Sequence, residues 1–223
     1  MNINLIEEAK NYLETFMKDK VVEYEVTHPW RRNSRYIVLH CYRVCSIAME
    51  IVNNYENELS TEDIELIQVA AILHDLGKVY SRGGHAEKSG EIVEKWLELN
   101  PSVAKLIEDK KRLINIIKDH SNKGVKDDDL VSSILKDADL LDELGAMSIF
   151  MVSNRLDRQT PYFFEELYKM LKEDEVTYCY EELKKLQTPA AKEILLKKIK
   201  FINSFVTELE YELKGSSGLT ANK

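Results

Sequence analysis

The sequence predicts an all-helical protein, on three observations. Apolar residues recur at three- and four-residue spacing through most of the chain. Strict two-residue alternation is nearly absent, and only eight Gly and four Pro interrupt 223 residues. A hydrophobic share of 44% at this length can bury a sizeable core, in one domain or in one domain with an extension.

The first helix spans roughly 3–18. It is amphipathic and acidic, with no basic leader, no long apolar segment and no cleavage site. Residues 21–26, VVEYEV, alternate but have no partner strand, so they read as an extended connector into THPWRRNSR. Further helices are expected at about 35–56, 61–76, 85–99, 102–120, 128–136, 139–154, 161–186 and 189–213. Ser60-Thr61-Glu62-Asp63 supplies a cap and an acidic first turn, Asn100-Pro101 ends one helix and begins the next, and Thr188-Pro189 opens the last. The final KGSSGLTANK, 214–223, is polar and Gly/Ser-rich and reads as a flexible tail. Residues 1–213 form a single domain in this reading, with a motif-bearing core at 34–155 and a helical extension at 156–213. The extension lacks His and is rich in Glu, Lys, Tyr and Leu, a pattern suited to packing against the domain or against a second copy in a homodimer.

A net charge of −8 repels long nucleic acids, while leaving room for a small nucleotide in a local basic pocket. Cys41, Cys45 and Cys179 form neither an even framework nor a CxxC pair, which points to a reducing compartment. Cys41 and Cys45, at i and i+4 beside His40, read as small core residues rather than soft ligands. No segment reaches the apolar length of a membrane span, so the expected location is the cytoplasm.

Charged residues inside apolar segments carry the functional signal. AILHDLGKVY places His74 and Asp75 within an apolar stretch beginning at Ile64, an expensive arrangement unless something binds them. His40 lies in RYIVLHCYRV upstream, and Asp137, Asp139 and Asp142 lie in SILKDADLLDELGAMSIF downstream. On a helix ending near residue 76, His74 and Asp75 project about 100° apart and can share one cleft. Lys78 joins their face if the helix persists through Gly77. Two imidazoles and two carboxylates leave coordination positions open and suit Mn, Fe, Co or Ni, with Zn also compatible.

A separated His, a His-Asp doublet and a distant Asp resemble the HD superfamily of metal-dependent phosphohydrolases, over about residues 34 to 155. The resemblance implies an HD-domain helical bundle whose metal ligands are His40, His74, Asp75 and Asp139. Asp139 is preferred because Ala138-Asp139-Leu140-Leu141 repeats the family's Ala-Asp-x-Leu context. One ion is implied, or two if His85 and His120 bind a second, with Asp75 bridging; otherwise these histidines bind substrate phosphate. Lys78 stands where family members often approach the phosphate, and with Asp75 it is the implied catalytic pair. Arg43 could orient a carboxylate or meet a phosphate oxygen. Arg31, Arg32 and Arg35 precede the His40 helix and could draw an anion, with Trp30 and Tyr36 available to pack or to stack on a base. His28 is not read as a ligand.

The implied activity is metal-dependent hydrolysis of a phosphomonoester, phosphodiester or nucleotide pyrophosphate linkage, in a nucleotide or another small phosphorylated metabolite. DHSNKG carries one His and no Gly-Tyr-Pro follows, unlike the cyclic dinucleotide phosphodiesterases; Leu76, Gly77 and Lys78 stand where alarmone hydrolases are acidic. The same resemblance leaves open a di-iron oxygenase using His40, His74, Asp75, His85, His120 and Asp139, or a non-catalytic nucleotide-sensing module.

Overall fold

The computed structural model describes residues 4–55 and 59–214, and among these the regular structure is helical, with no strand. The tail expected at 214–223 lies outside the described residues from 215 on. The helices are α1 (Leu5–Met17), α2 (Ser34–Asn53), α3 (Thr61–Leu73), α4 (His85–Leu99), α5 (Pro101–Ala104), α6 (Lys110–Asp119), α7 (Leu130–Leu141), α8 (Ala146–Ser153), α9 (Phe163–Lys169), α10 (Val176–Lys185) and α11 (Pro189–Lys214). Val21 makes a single antiparallel bridge to Asn33, closing the connector into a loop without forming a sheet.

Two compact units result, one of residues 1–142 with 186–191 and one of 143–185 with 192 onward. In the first, α3 is the central helix, packed by α1, α2, α6 and α7. Its sequence explains this: from Leu66 to Leu73 every residue but Gln68 is buried, so the helix has no polar face to give to water. Ile67, Ile72 and Leu73 meet a core that also holds Leu13, Ile51, Leu113, Ile117, Ile134 and Leu135, all fully buried. In the second unit α9 and α10 are joined by a π-helical segment, Met170–Glu175, and α8 packs against that segment.

Three boundaries differ from the sequence reading. The helix expected at 102–120 is broken: one turn follows Pro101, and Asp109 then caps a new helix by accepting from Arg112 N at 2.8 Å. No break occurs at 137–138. Asp137 does not disrupt α7, because its carboxylate accepts from Gln187 N, Thr188 N and Thr188 Oγ1. The chain turns instead at Asp142–Gly145, where Glu143 and Gly145 adopt positive φ of 65° and 85°. Finally, α3 ends at Leu73, and Leu76–Val79 form a 3-10 turn.

That 3-10 turn lies directly on the start of α4. Gly77 N donates to Ser89 Oγ at 2.9 Å, and Ser89 Oγ donates back to His85 O at 2.8 Å. A Cβ at position 77 would stand 2.3 Å from His85 O and 2.9 Å from Ser89 N, both backbone atoms. Gly77→Ala is therefore expected to cost about 1–3 kcal/mol by overpacking and to push His85 away from Asp75. Denaturant unfolding reads the first effect, and metal stoichiometry the second; an unchanged midpoint would contradict the close approach.

Candidate metal centre

Five segments of the first unit meet at one buried cluster. His40 comes from α2, His74 and Asp75 from the end of α3, His85 from the first residue of α4, His120 from the end of α6 and Asp139 from the last turn of α7. His74 and Asp75 sit at the unwinding of α3, not on continuous helix: His74 keeps helical dihedrals, and Asp75 moves to φ −109°, ψ 18°. In the 3-10 turn that follows, residues three apart eclipse one another. Lys78 Nζ is thereby brought to 2.7 Å from Asp75 Oδ2.

Each histidine has its Nδ1 engaged, which leaves Nε2 facing the cluster. His74, His85 and His120 each bond through Nδ1 to the carbonyl three residues back, Ala71 at 2.8 Å, Arg82 at 2.8 Å and Ile117 at 2.7 Å. Because a carbonyl only accepts, Nδ1 carries the proton in all three. His40 Nδ1 instead meets Asp142 Oδ2 at 2.6 Å, and Arg43 holds that carboxylate through Nε at 2.8 Å and Nη2 at 2.9 Å.

Asp75, fully buried, divides its oxygens between two histidine pairs. Oδ2 lies 3.1 Å from His40 Nε2 and 3.6 Å from His74 Nε2; Oδ1 lies 3.4 Å from His85 Nε2 and 3.5 Å from His120 Nε2. Asp139 Oδ1 completes the first group, 3.2 Å from His40 Nε2 and 3.7 Å from His74 Nε2. Around Oδ1 of Asp75 the arrangement is starved of protons. His85 Nε2 and His120 Nε2 are 3.2 Å apart, both histidines are pushed down in pKa by burial, and Oδ1 itself has no hydrogen-bond partner. Three acceptors packed this closely repel unless a cation sits among them, so the residues present fit a metal ion. His40–His74–Asp75 and Asp75–His85–His120 each offer ligand atoms within 4.8 Å of one another.

The first group is charged differently. Burial alone would lower the His40 pKa, but hydrogen bonds to Asp139, Asp142 and Asp75 raise it to about 10. Burial would likewise raise Asp75 and Asp139, yet Lys78 and His74 hold the first carboxyl, and Lys123 and His40 the second, well below the usual range. A metal joining this group must displace the His40 proton. At pH 7 about one proton should be released from His40 per ion bound, and affinity should rise about tenfold per pH unit toward pH 10. The sign for folding follows. A raised folded pKa stabilises the metal-free protein fully below about 6.5, and that contribution is lost as pH rises through about 10. Calorimetry in buffers of different ionisation enthalpy counts the proton, and binding without release would contradict the assignment.

The structure brings together every ligand candidate from the sequence, namely His40, His74, Asp75, Asp139, His85 and His120, with Lys78 against Asp75. Arg43 is engaged with Asp142, behind His40. Arg35 pairs with Glu14 and Trp30 stacks on buried His28 at 4.9 Å. Asp142 and Lys123 are the residues whose roles the sequence did not reveal. Asp142 follows Asp139 by three positions as Arg43 follows His40 by three, and that matched spacing was the available signal.

Residues 37–144 match the family model described as HD domain. No curated protein matches the sequence. Solved structures share the fold at low identity. Bacillus subtilis YpgQ in complex with ADP aligns at 17% identity over 92% of this chain and 93% of that one, with a TM-score of 0.56. The Lin1889 protein of Listeria innocua aligns at 21% over 95% and 98%, with 0.56. A predicted HD superfamily hydrolase from an uncultured Thermotogales bacterium aligns at 19% over 93% and 92%, with 0.58.

Proposed function

We propose that this HD-domain protein is a metal-dependent phosphohydrolase acting on a nucleotide or another small phosphorylated metabolite. The observation that carries this reading is the convergence of His85 Nε2, His120 Nε2 and the unpartnered Asp75 Oδ1, back to back with His40, His74 and Asp139 around Asp75 Oδ2. His40, His74, Asp75 and Asp139 would hold one divalent ion, and His85, His120 and Asp75 a second. When bound, such an ion supplies a Lewis acid and a water of lowered pKa.

The chain's own residues supply the rest. Asp75 ties the two histidine groups together with one carboxylate, and Asp142 with Arg43 fixes the His40 ring so that its Nε2 points inward. Lys78 keeps an ammonium beside Asp75, where it can donate to phosphoryl oxygens as their charge grows. The ADP held by the YpgQ structure supports a nucleotide as the substrate class. Free Cys41, Cys45 and Cys179 accord with a cytoplasmic setting. Among the described residues no helix is long and apolar enough to cross a membrane.

Purification without chelator, metal analysis by plasma mass spectrometry and a screen for phosphate or pyrophosphate release from a nucleotide panel test the reading together. Bound divalent metal and release from the panel are expected. Two irons with no release would favour a di-iron oxygenase, and nucleotide binding with neither metal nor release would favour a sensing module.

A further inference from the structure

Lys123 lies between α6 and α7, three residues past His120, and its Nζ stands 2.7 Å from Asp139 Oδ2. Asp139 thus divides its oxygens, giving Oδ1 to the Nε2 atoms of His40 and His74 and Oδ2 to the lysine. An ammonium carries three donors, and this one is 30% exposed, so a further acceptor can reach it. Lys78, 33% exposed and 2.7 Å from Asp75 Oδ2, repeats the arrangement from another element.

The lysine is held in place by its loop. Buried Lys136 reaches from α7 to Asp119 before Lys123 and to Asp127 after it, the latter at 2.8 Å. Asp127 N donates to Gln187 Oε1 at 2.8 Å, and Arg112 grips Asp129 through Nε at 2.7 Å and Nη2 at 3.0 Å. Gly124 makes the turn at φ 81°. Both ends of the short segment are therefore anchored.

A counter-ion role alone does not account for the pair. A divalent ion bound by Asp139 and Asp75 neutralises those carboxylates itself, and two ammonium groups beside it are then balanced only by an incoming anion. We propose that Lys123 is a substrate-contacting residue, whose ammonium donates to a phosphoryl oxygen of a substrate held at the His40–His74–Asp75–Asp139 cluster, as a second cation beside Lys78. This rests on the phosphohydrolase reading.

The test titrates Mn2+ and then inorganic phosphate into wild type, Lys123→Met, Lys123→Gln and Lys123→Arg, with helical CD as a control on folding. Both neutral variants should bind Mn2+ at least as tightly as wild type, because a competitor for Asp139 is gone. Their metal-loaded forms should bind phosphate roughly ten- to a hundredfold more weakly, as loss of one charged hydrogen bond implies, and Lys123→Arg should retain most of the affinity. Phosphate affinity unchanged in both neutral variants overturns the proposal and leaves the phosphohydrolase reading intact. Mn2+ and phosphate affinities that fall together also overturn it, since Lys123 would then be structural. Wild type that binds neither Mn2+ nor phosphate overturns both.

Discussion

Asp75→Asn is expected to lose metal at both positions while keeping its helices. The substitution preserves shape and changes charge. One oxygen of the residue faces His40 and His74 and the other faces His85 and His120, so this single side chain serves both groups. A neutral amide offers one weaker acceptor and turns N–H donors toward Nε2 lone pairs that need a cation. Metal content should fall close to zero, and turnover by roughly two to four orders of magnitude, the range set by losing several kcal/mol of Lewis-acid stabilisation. Thermal unfolding gives an independent check. Metal at a thousand times its Kd adds about 4 kcal/mol to a protein that binds it only when folded, so wild type should gain Tm with Mn2+ and the variant should not. A variant that retains metal or turnover would remove Asp75 from the centre of the site.

The second large effect concerns stoichiometry. His85→Ala combined with His120→Ala should reduce bound metal from two ions per chain to one, because the pair faces only the Oδ1 side of Asp75. His40, His74 and Asp139 keep their positions on α2, α3 and α7, elements that do not depend on either imidazole. Metal analysis of wild type and variant side by side decides the matter. One ion in both proteins would instead leave His85 and His120 as groups that meet substrate.

Much of this centre was legible because it is written in residue type. His40, His74, Asp75 and Asp139 stand out as polar groups within apolar segments, and His85 and His120, from the polar stretches RGGHAEKSG and KDHSNKG, converge with them. Less legible were features made by backbone geometry. Nothing in LHDLGK distinguishes continuous helix from a 3-10 turn, and the reason for the turn lies in α4, where Gly77 must approach the chain at His85 and Ser89. Asp137 is passed over in favour of Asp139 without a role of its own, which its capture by Gln187 and Thr188, fifty residues away, supplies. Lys123 was hidden among ordinary polar loop residues, since a lysine gains meaning here only from loop anchors formed by Lys136 and Gln187.

The Nδ1 anchors divide the histidines by what aims them. His74, His85 and His120 are steered by carbonyls within their own turn of chain, so each ring is oriented as soon as that turn exists. His40 is steered by Asp142, 102 positions away. Three ring orientations are thus a local property and one is an assembly product, formed only when α2 meets the end of α7. His40 therefore reports on assembly: a chain with its segments folded but wrongly docked would keep the other three rings oriented within their own turns and lose the one contact that aims His40.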